Sequence, residues 1–128
     1  MQTTTSVPSA EEQVQDPPDI ATMRETAGIL LDPDAVALAP AAGELDKLTR
    51  MMRGHLELLI PKVERVAGKL EEGSPARHCA LACLGEASRK LRTEAAPTPD
   101  GPLTHARRLA RVLNALCEHY EQSGGERP

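Results

Sequence analysis

The chain has 128 residues, a mass of 13.7 kDa and a formal net charge of −4, room for one compact domain and little more. Ala (18) and Leu (16) outnumber Val plus Ile (9) almost four to one, with no Phe or Trp and a single tyrosine, Tyr120, a composition that favours helices over sheets. One ring excludes the base-stacking platforms of single-strand binders and the aromatic cages that hold methyl-ammonium groups.

Leu, Ile and Val supply just under a fifth of the residues, close to the limit for a stable core, while the low net charge argues against wholesale disorder. No apolar run is long enough to cross a bilayer and the N-terminal ten residues lack the basic and apolar regions of a signal peptide, so the expected location is the cytoplasm. Three cysteines, an odd number crowded into the second half, read as reduced thiols rather than as a secreted disulfide framework.

Residues 1–16 are polar, acidic and without apolar period, which predicts a disordered arm. A first helix is expected from Asp16 as N-cap, with Pro17 and Pro18 in its first turn and Ile20, Met23, Ala27 and Leu30 at helical spacing; it stops before Pro33. Residues 32–40 form a Pro-bounded linker. A second helix is expected over residues 41–70, with Leu45, Leu48, Met52, Leu56, Leu59, Val63, Val66 and Leu70 in register. Pro61 should kink or split it, because proline removes a backbone donor and crowds the carbonyl four residues back.

Gly73, Ser74 and Pro75 read as helix stop, N-cap and first helical residue, so the second and third helices should be antiparallel neighbours. The third helix, residues 75–94, points Ala76, Ala80, Cys83, Leu84, Ala87 and Leu91 one way. Residues 96–101 form a turn, and a fourth helix over 102–121 presents Ala106, Leu109, Leu113, Leu116 and Tyr120 at steps of three and four. Residues 122–128 are a frayed tail. Four amphipathic segments with short connections pack most simply as an all-α, antiparallel four-helix bundle over residues 17–121. Its Ala-rich core is thin, which favours dimerisation.

The charge pattern is uneven. Residues 1–40 carry one basic and seven acidic side chains, whereas 41–128 carry 14 basic and 12 acidic. Arg89, Lys90 and Arg92 close the third helix and suit its dipole; Arg107, Arg108 and Arg111 open the fourth and oppose theirs. A hairpin gathers all six at one end of the bundle, where they form either a solvated face or a binding patch for an acidic protein, the chain's own acidic arm or phosphate groups. His55 interrupts the apolar stripe between Met52 and Leu59 and needs a hydrogen-bond partner if buried, with Tyr120 or a carbonyl freed near Pro61 as candidates. Cys79, Cys83 and Cys117 with a histidine would suit zinc in number, but their spacing matches no usual ligand pattern, so no metal and no cofactor is expected. Cys83 and Cys117 read instead as small hydrophobes. The motifs of phosphate loops, zinc proteases, serine hydrolases and phosphopantetheine carriers are absent from the sequence.

Residues 53–64 (RGHLELLIPKVE), 79–91 (CALACLGEASRKL) and 106–120 (ARRLARVLNALCEHY) resemble a family of small Streptomyces-type actinobacterial proteins of unknown function, named for natural-product biosynthesis. The similarity spans about residues 45–121, and the excess of Arg (11) over Lys (4) fits a GC-rich genome. The resemblance implies a place near specialised-metabolite genes and brings no activity, cofactor or catalytic residue. The expected function is that of a non-enzymatic accessory or regulatory protein that binds a protein partner or a second copy of itself. The alternatives are a DNA-associated regulator using the basic end, which lacks a helix-turn-helix signature, and a metal- or small-molecule-binding enzyme built on His55 with Cys83 or Cys117.

Overall fold

Among the described residues four helices account for the fold: α1 (Ile20–Leu31), α2 (Ala42–Gly68), α3 (Pro75–Arg92) and α4 (Gly101–Gln122). They come from a computed structural model that describes residues 17–33 and 40–123. The expected arm at 1–16, most of the linker at 34–39 and the end of the tail at 124–128 lie outside the described residues.

The helices form the expected bundle, with α4 at its centre. This helix packs against all three others, α2 packs against α3 and more lightly against α1, and α1 and α3 do not meet. The stripe expected on α4 is the reason: Ala106, Leu109, Leu113 and Leu116 are fully buried and Tyr120 nearly so, joined by Ala110, Val112 and Cys117. Their partners are Met52, Leu56, Leu59 and Val63 of α2, Ala80, Leu84 and Ala87 of α3, and Met23, Ala27 and Leu30 of α1. Alanine at the inner positions of α3 lets it approach closely. Ala76 does not share that burial; it sits exposed in the first turn of α3.

Local signals explain the helix ends. The N-cap of α1 is Asp19, three residues later than expected: its carboxylate accepts from the Thr22 N–H at 3.1 Å and from the Thr22 hydroxyl at 2.7 Å, so the consecutive prolines precede the helix rather than open it. The cap of α3 is as expected, with the Arg77 N–H donating to Ser74 Oγ at 3.2 Å. Gly73 has φ 82°, a left-handed conformation that glycine adopts without a Cβ clash. The Arg77 guanidinium also donates to the Leu70 carbonyl, fastening α3 to the end of α2 and turning it back antiparallel.

Pro61 does not split α2, which runs unbroken through it. Proline removes the donor that would reach the Glu57 carbonyl, and Glu57 lies on the exposed face, where solvent can take that acceptor. Leu70 falls beyond the helix end and is only half-buried. At the other hairpin, α4 begins at Gly101, one residue early, and this glycine is buried. A Cβ there would overlap the Ala96 carbonyl oxygen and lie 2.8 Å from its carbon. Only glycine lets residues 96–101 fold that tightly onto the start of α4.

Candidate functional site

The hairpin between α3 and α4 brings the six predicted basic residues to one end without making one surface of them. Glu86 pairs with both Arg89 and Lys90 along α3, and the hydrogen bonds from Lys90 and then Arg89 hold its carboxyl below the usual range. These two cations are largely spent within their own helix. Arg92 is exposed and lines a broad cleft, whereas Lys90 and Arg108 line a smaller one beside it. Arg107 is half-buried with its Nε buried and lacking a hydrogen-bond partner, and Arg111 is exposed. Successive residues of a helix point about 100° apart, so Arg107 and Arg108 cannot face the same contact.

The broad cleft lies where the first turns of α2 run alongside the α3–α4 hairpin, and it encloses about 940 Å³. Leu45 of α2, Leu91 of α3 and Leu103 of α4 form apolar walls with Pro40, Pro99 and Pro102, and Asp46, Thr49, Arg53, Arg92, Glu94, Asp100 and His105 supply the polar part. Arg53 organises this end. Its Nη1 donates to the Leu91 carbonyl at 2.7 Å, and its Nη2 donates to the Thr93 carbonyl at 2.9 Å and to His105 Nε2 at 3.1 Å. The two carbonyls belong to the last turn of α3 and its C-cap, groups that a helix leaves unsatisfied. A guanidinium is only a donor, so Nε2 of His105 is the acceptor and the ring proton sits on Nδ1. His105 is 6% exposed; burial first, then the charges of Arg53, Arg108 and Lys90, push its pKa down, with Glu94 opposing. It is neutral at pH 7.

Arg53 went unnoticed in the sequence because its partners are 38, 40 and 52 residues away and two are main-chain groups that any residue provides. For the same reason the sequence counts His105 only among the histidines open to a metal, since its partner Arg53 lies 52 residues earlier.

His55 is half-buried and sits elsewhere, at the junction of α2 with α1. Its partner is neither Tyr120 nor a carbonyl freed by Pro61 but Thr26, whose Oγ1 lies 3.5 Å from Nε2 while donating to the Thr22 carbonyl. The Thr26 hydroxyl hydrogen is thus committed, and the ring donates this long, weak bond. Burial lowers the His55 pKa, partly opposed by Asp19. Tyr120 is buried in the core. Around the His55 junction, Ile29, Met51 and Leu58 are 47%, 40% and 47% exposed. Ile29 is one turn from Thr26, and Met51 and Leu58 are one turn to either side of His55, so the contact gathers all three along one seam.

The cysteines are dispersed: Cys79 is exposed, Cys83 half-buried and Cys117 fully buried. Burial raises the Cys83 thiol and pushes Cys117 up to about 11, which keeps Cys117 from ionising at neutral pH. Among the described residues no three His, Cys, Asp or Glu side chains are grouped to hold a metal ion. No helix among them is long and apolar enough to cross a membrane.

A family model described as a family of unknown function (DUF6415) matches residues 21–125, from α1 to just past the end of α4. No curated protein and no solved structure matches the chain.

Proposed function

The chain belongs to that family of unknown function, which lends no activity, and we propose that it is a non-enzymatic accessory protein acting through contact with another protein. One observation carries this reading: the seam between α1 and α2 leaves Ile29, Met51 and Leu58 each at least 40% exposed on helices. Scattered exposed apolar residues need no explanation, but three along one seam mark a surface that association covers. The seam is also where the bundle is least closed, because α1 packs mainly on α4 and touches α2 lightly. A helix or helical hairpin of a partner, or α2 of a second copy, would complete the burial that α1 leaves undone. A role in specialised-metabolite biosynthesis belongs to the same proposal and rests on the sequence resemblance. The basic end supports a nucleic-acid reading less well, since Glu86 already engages Arg89 and Lys90.

A photo-crosslinking residue at position 58, in cells of the producing organism, tests the proposal together with sedimentation of the purified chain. A discrete adduct, or a dimer, that is lost in Ile29→Glu/Met51→Glu while helicity is retained supports it. A monomer at every concentration with no adduct at position 58 rejects it.

A further inference from the structure

We infer that the partner at the α1–α2 seam is a second copy of this chain, whose α2 pairs antiparallel with α2 of the first about a two-fold axis between Gly54 and His55. The inference rests on the proposed reading of that seam and names its occupant.

Register carries it. Glu44, Met51, Leu58 and Arg65 follow one another at intervals of seven along α2, and all four are exposed. Seven residues are close to two helical turns, so the four share one outward line about 30 Å long. The line reads acid, apolar, apolar, base. Reversed against itself it is complementary: Met51 falls level with Leu58 of the second copy and Glu44 level with its Arg65, and the two-fold repeats both pairs. Laid parallel in register, the same line would set Glu44 against Glu44 and Arg65 against Arg65, so charge selects the antiparallel order.

Both end charges are free for this use. Glu44 and Arg65 form no ion pair among the described residues, whereas their neighbours Asp46 and Arg50 pair with each other. Lys62 falls level with Lys47 of the second copy, but it is buried in its own chain at 5% exposure, which withdraws one of the two like charges from the contact. The middle of the line suits a close crossing. Gly54 interrupts the interior of α2, where glycine is a poorer helix former than alanine. Beyond its own helix backbone and chain neighbours, nothing lies within 4 Å of the position its Cβ would take, so the fold of one copy has no use for the missing side chain. Beside the two-fold axis it lets two backbones approach and brings Met51 and Leu58 together on either side. Thr26 faces His55, so Ile29, one turn further along the antiparallel α1, comes beside Leu58 of the second copy and widens the apolar strip.

Sedimentation equilibrium of the full-length chain, from about 10 μM to 1 mM, tests the pairing through charge swaps at exposed positions, with circular dichroism to check that helicity is retained. Glu44→Arg alone and Arg65→Glu alone each replace two attractions by two repulsions and should weaken the dimer at least about tenfold. Glu44→Arg/Arg65→Glu in one chain restores complementarity and should recover the dimer to within about threefold. The two single variants, mixed, should form a heterodimer, each supplying the charge that the other lacks. Gly54→Ala should raise the melting temperature of the dilute monomer and still weaken the dimer. A parent chain that is monomeric throughout, a dimer indifferent to the single swaps or to Gly54→Ala, or a double swap no better than either single overturns self-pairing. The wider reading of the seam would then stand or fall separately, on whether the crosslink at position 58 yields an adduct with a different polypeptide.

Discussion

Two faces of α2 meet their neighbours by different physics. On one face, Arg53 ties the helix to main-chain oxygens of α3 and its C-cap and to a ring on α4 through three hydrogen bonds from one charged group. At the His55 junction, two residues on and on the opposite face, α1 meets α2 through one weak polar contact, and it is otherwise held by buried Met23, Thr26, Ala27 and Leu30 and by the Arg24–Glu121 ion pair to α4. Charged hydrogen bonds to backbone are directional, so the first junction has one geometry. Apolar contact is not directional, so the second can slide or part with little penalty beyond the area exposed.

Removing the clamp should break the comparison most. Arg53→Met keeps the apolar stem and deletes every donor, leaving the Leu91 and Thr93 carbonyls without their partner, and should destabilise the fold by about 2 kcal/mol. Hydrogen exchange is the sharper readout. Amides of residues 93–105 should lose protection while those of α1 keep theirs relative to the global change. Uniform loss across all four helices would mean that the clamp and the seam are not separate units.

The reciprocal change acts on α1. Asp19→Ala removes a cap whose carboxylate bonds both the N–H and the hydroxyl of Thr22, orphaning a helix N-terminus. Asp19 is solvent-exposed, so a fall in melting temperature smaller than that of Arg53→Met is expected, with faster exchange confined to α1. A change of similar size at the α3–α4 hairpin would show the two junctions to be coupled through α4.

The fold was legible where its causes are local. Stripes at steps of three and four located four helices, and Gly73, Ser74 and Pro75 marked the turn that the structure contains. Errors arose where two local signals competed or where the cause is distant. Asp16 and Asp19 both flank the proline pair, and the deciding feature was Thr22, three residues after Asp19 with a hydroxyl to offer. Pro61 spoke for a break, yet the apolar stripe continues on both sides of it and its orphaned acceptor faces solvent. His55 found Thr26, 29 residues earlier, and the cleft depends on Arg53 meeting a hairpin some 40 residues on. Cleft shape and hydrogen bonds to backbone carry no residue-type signature, and both stayed invisible in the sequence.

The smallest effect separates the two junctions by their histidines. Burial depresses both His55 and His105, so each is neutral in the fold at a pH where the unfolded chain, with a pKa of about 6.5, begins to take up a proton. Stability is therefore full above about pH 6.5 and falls on acidification until the folded state protonates as well. Carboxylates with lowered pKa, such as Glu86, lose their contribution only near and below their unfolded values of about 4, which leaves the interval from about 5 to 6.5 to the histidines. The surroundings rank the two. Arg53 from α2, Lys90 from α3 and Arg108 on α4 all oppose a charge on His105, against Glu94 alone, whereas Asp19 favours a charge on His55. His105→Gln keeps an acceptor for Arg53 and cannot titrate, so it should flatten most of the fall in melting temperature across that interval. His55→Gln should flatten less. If His105→Gln retained the parent slope, the neutral imidazole accepting from Arg53 would be the wrong picture of the clamp.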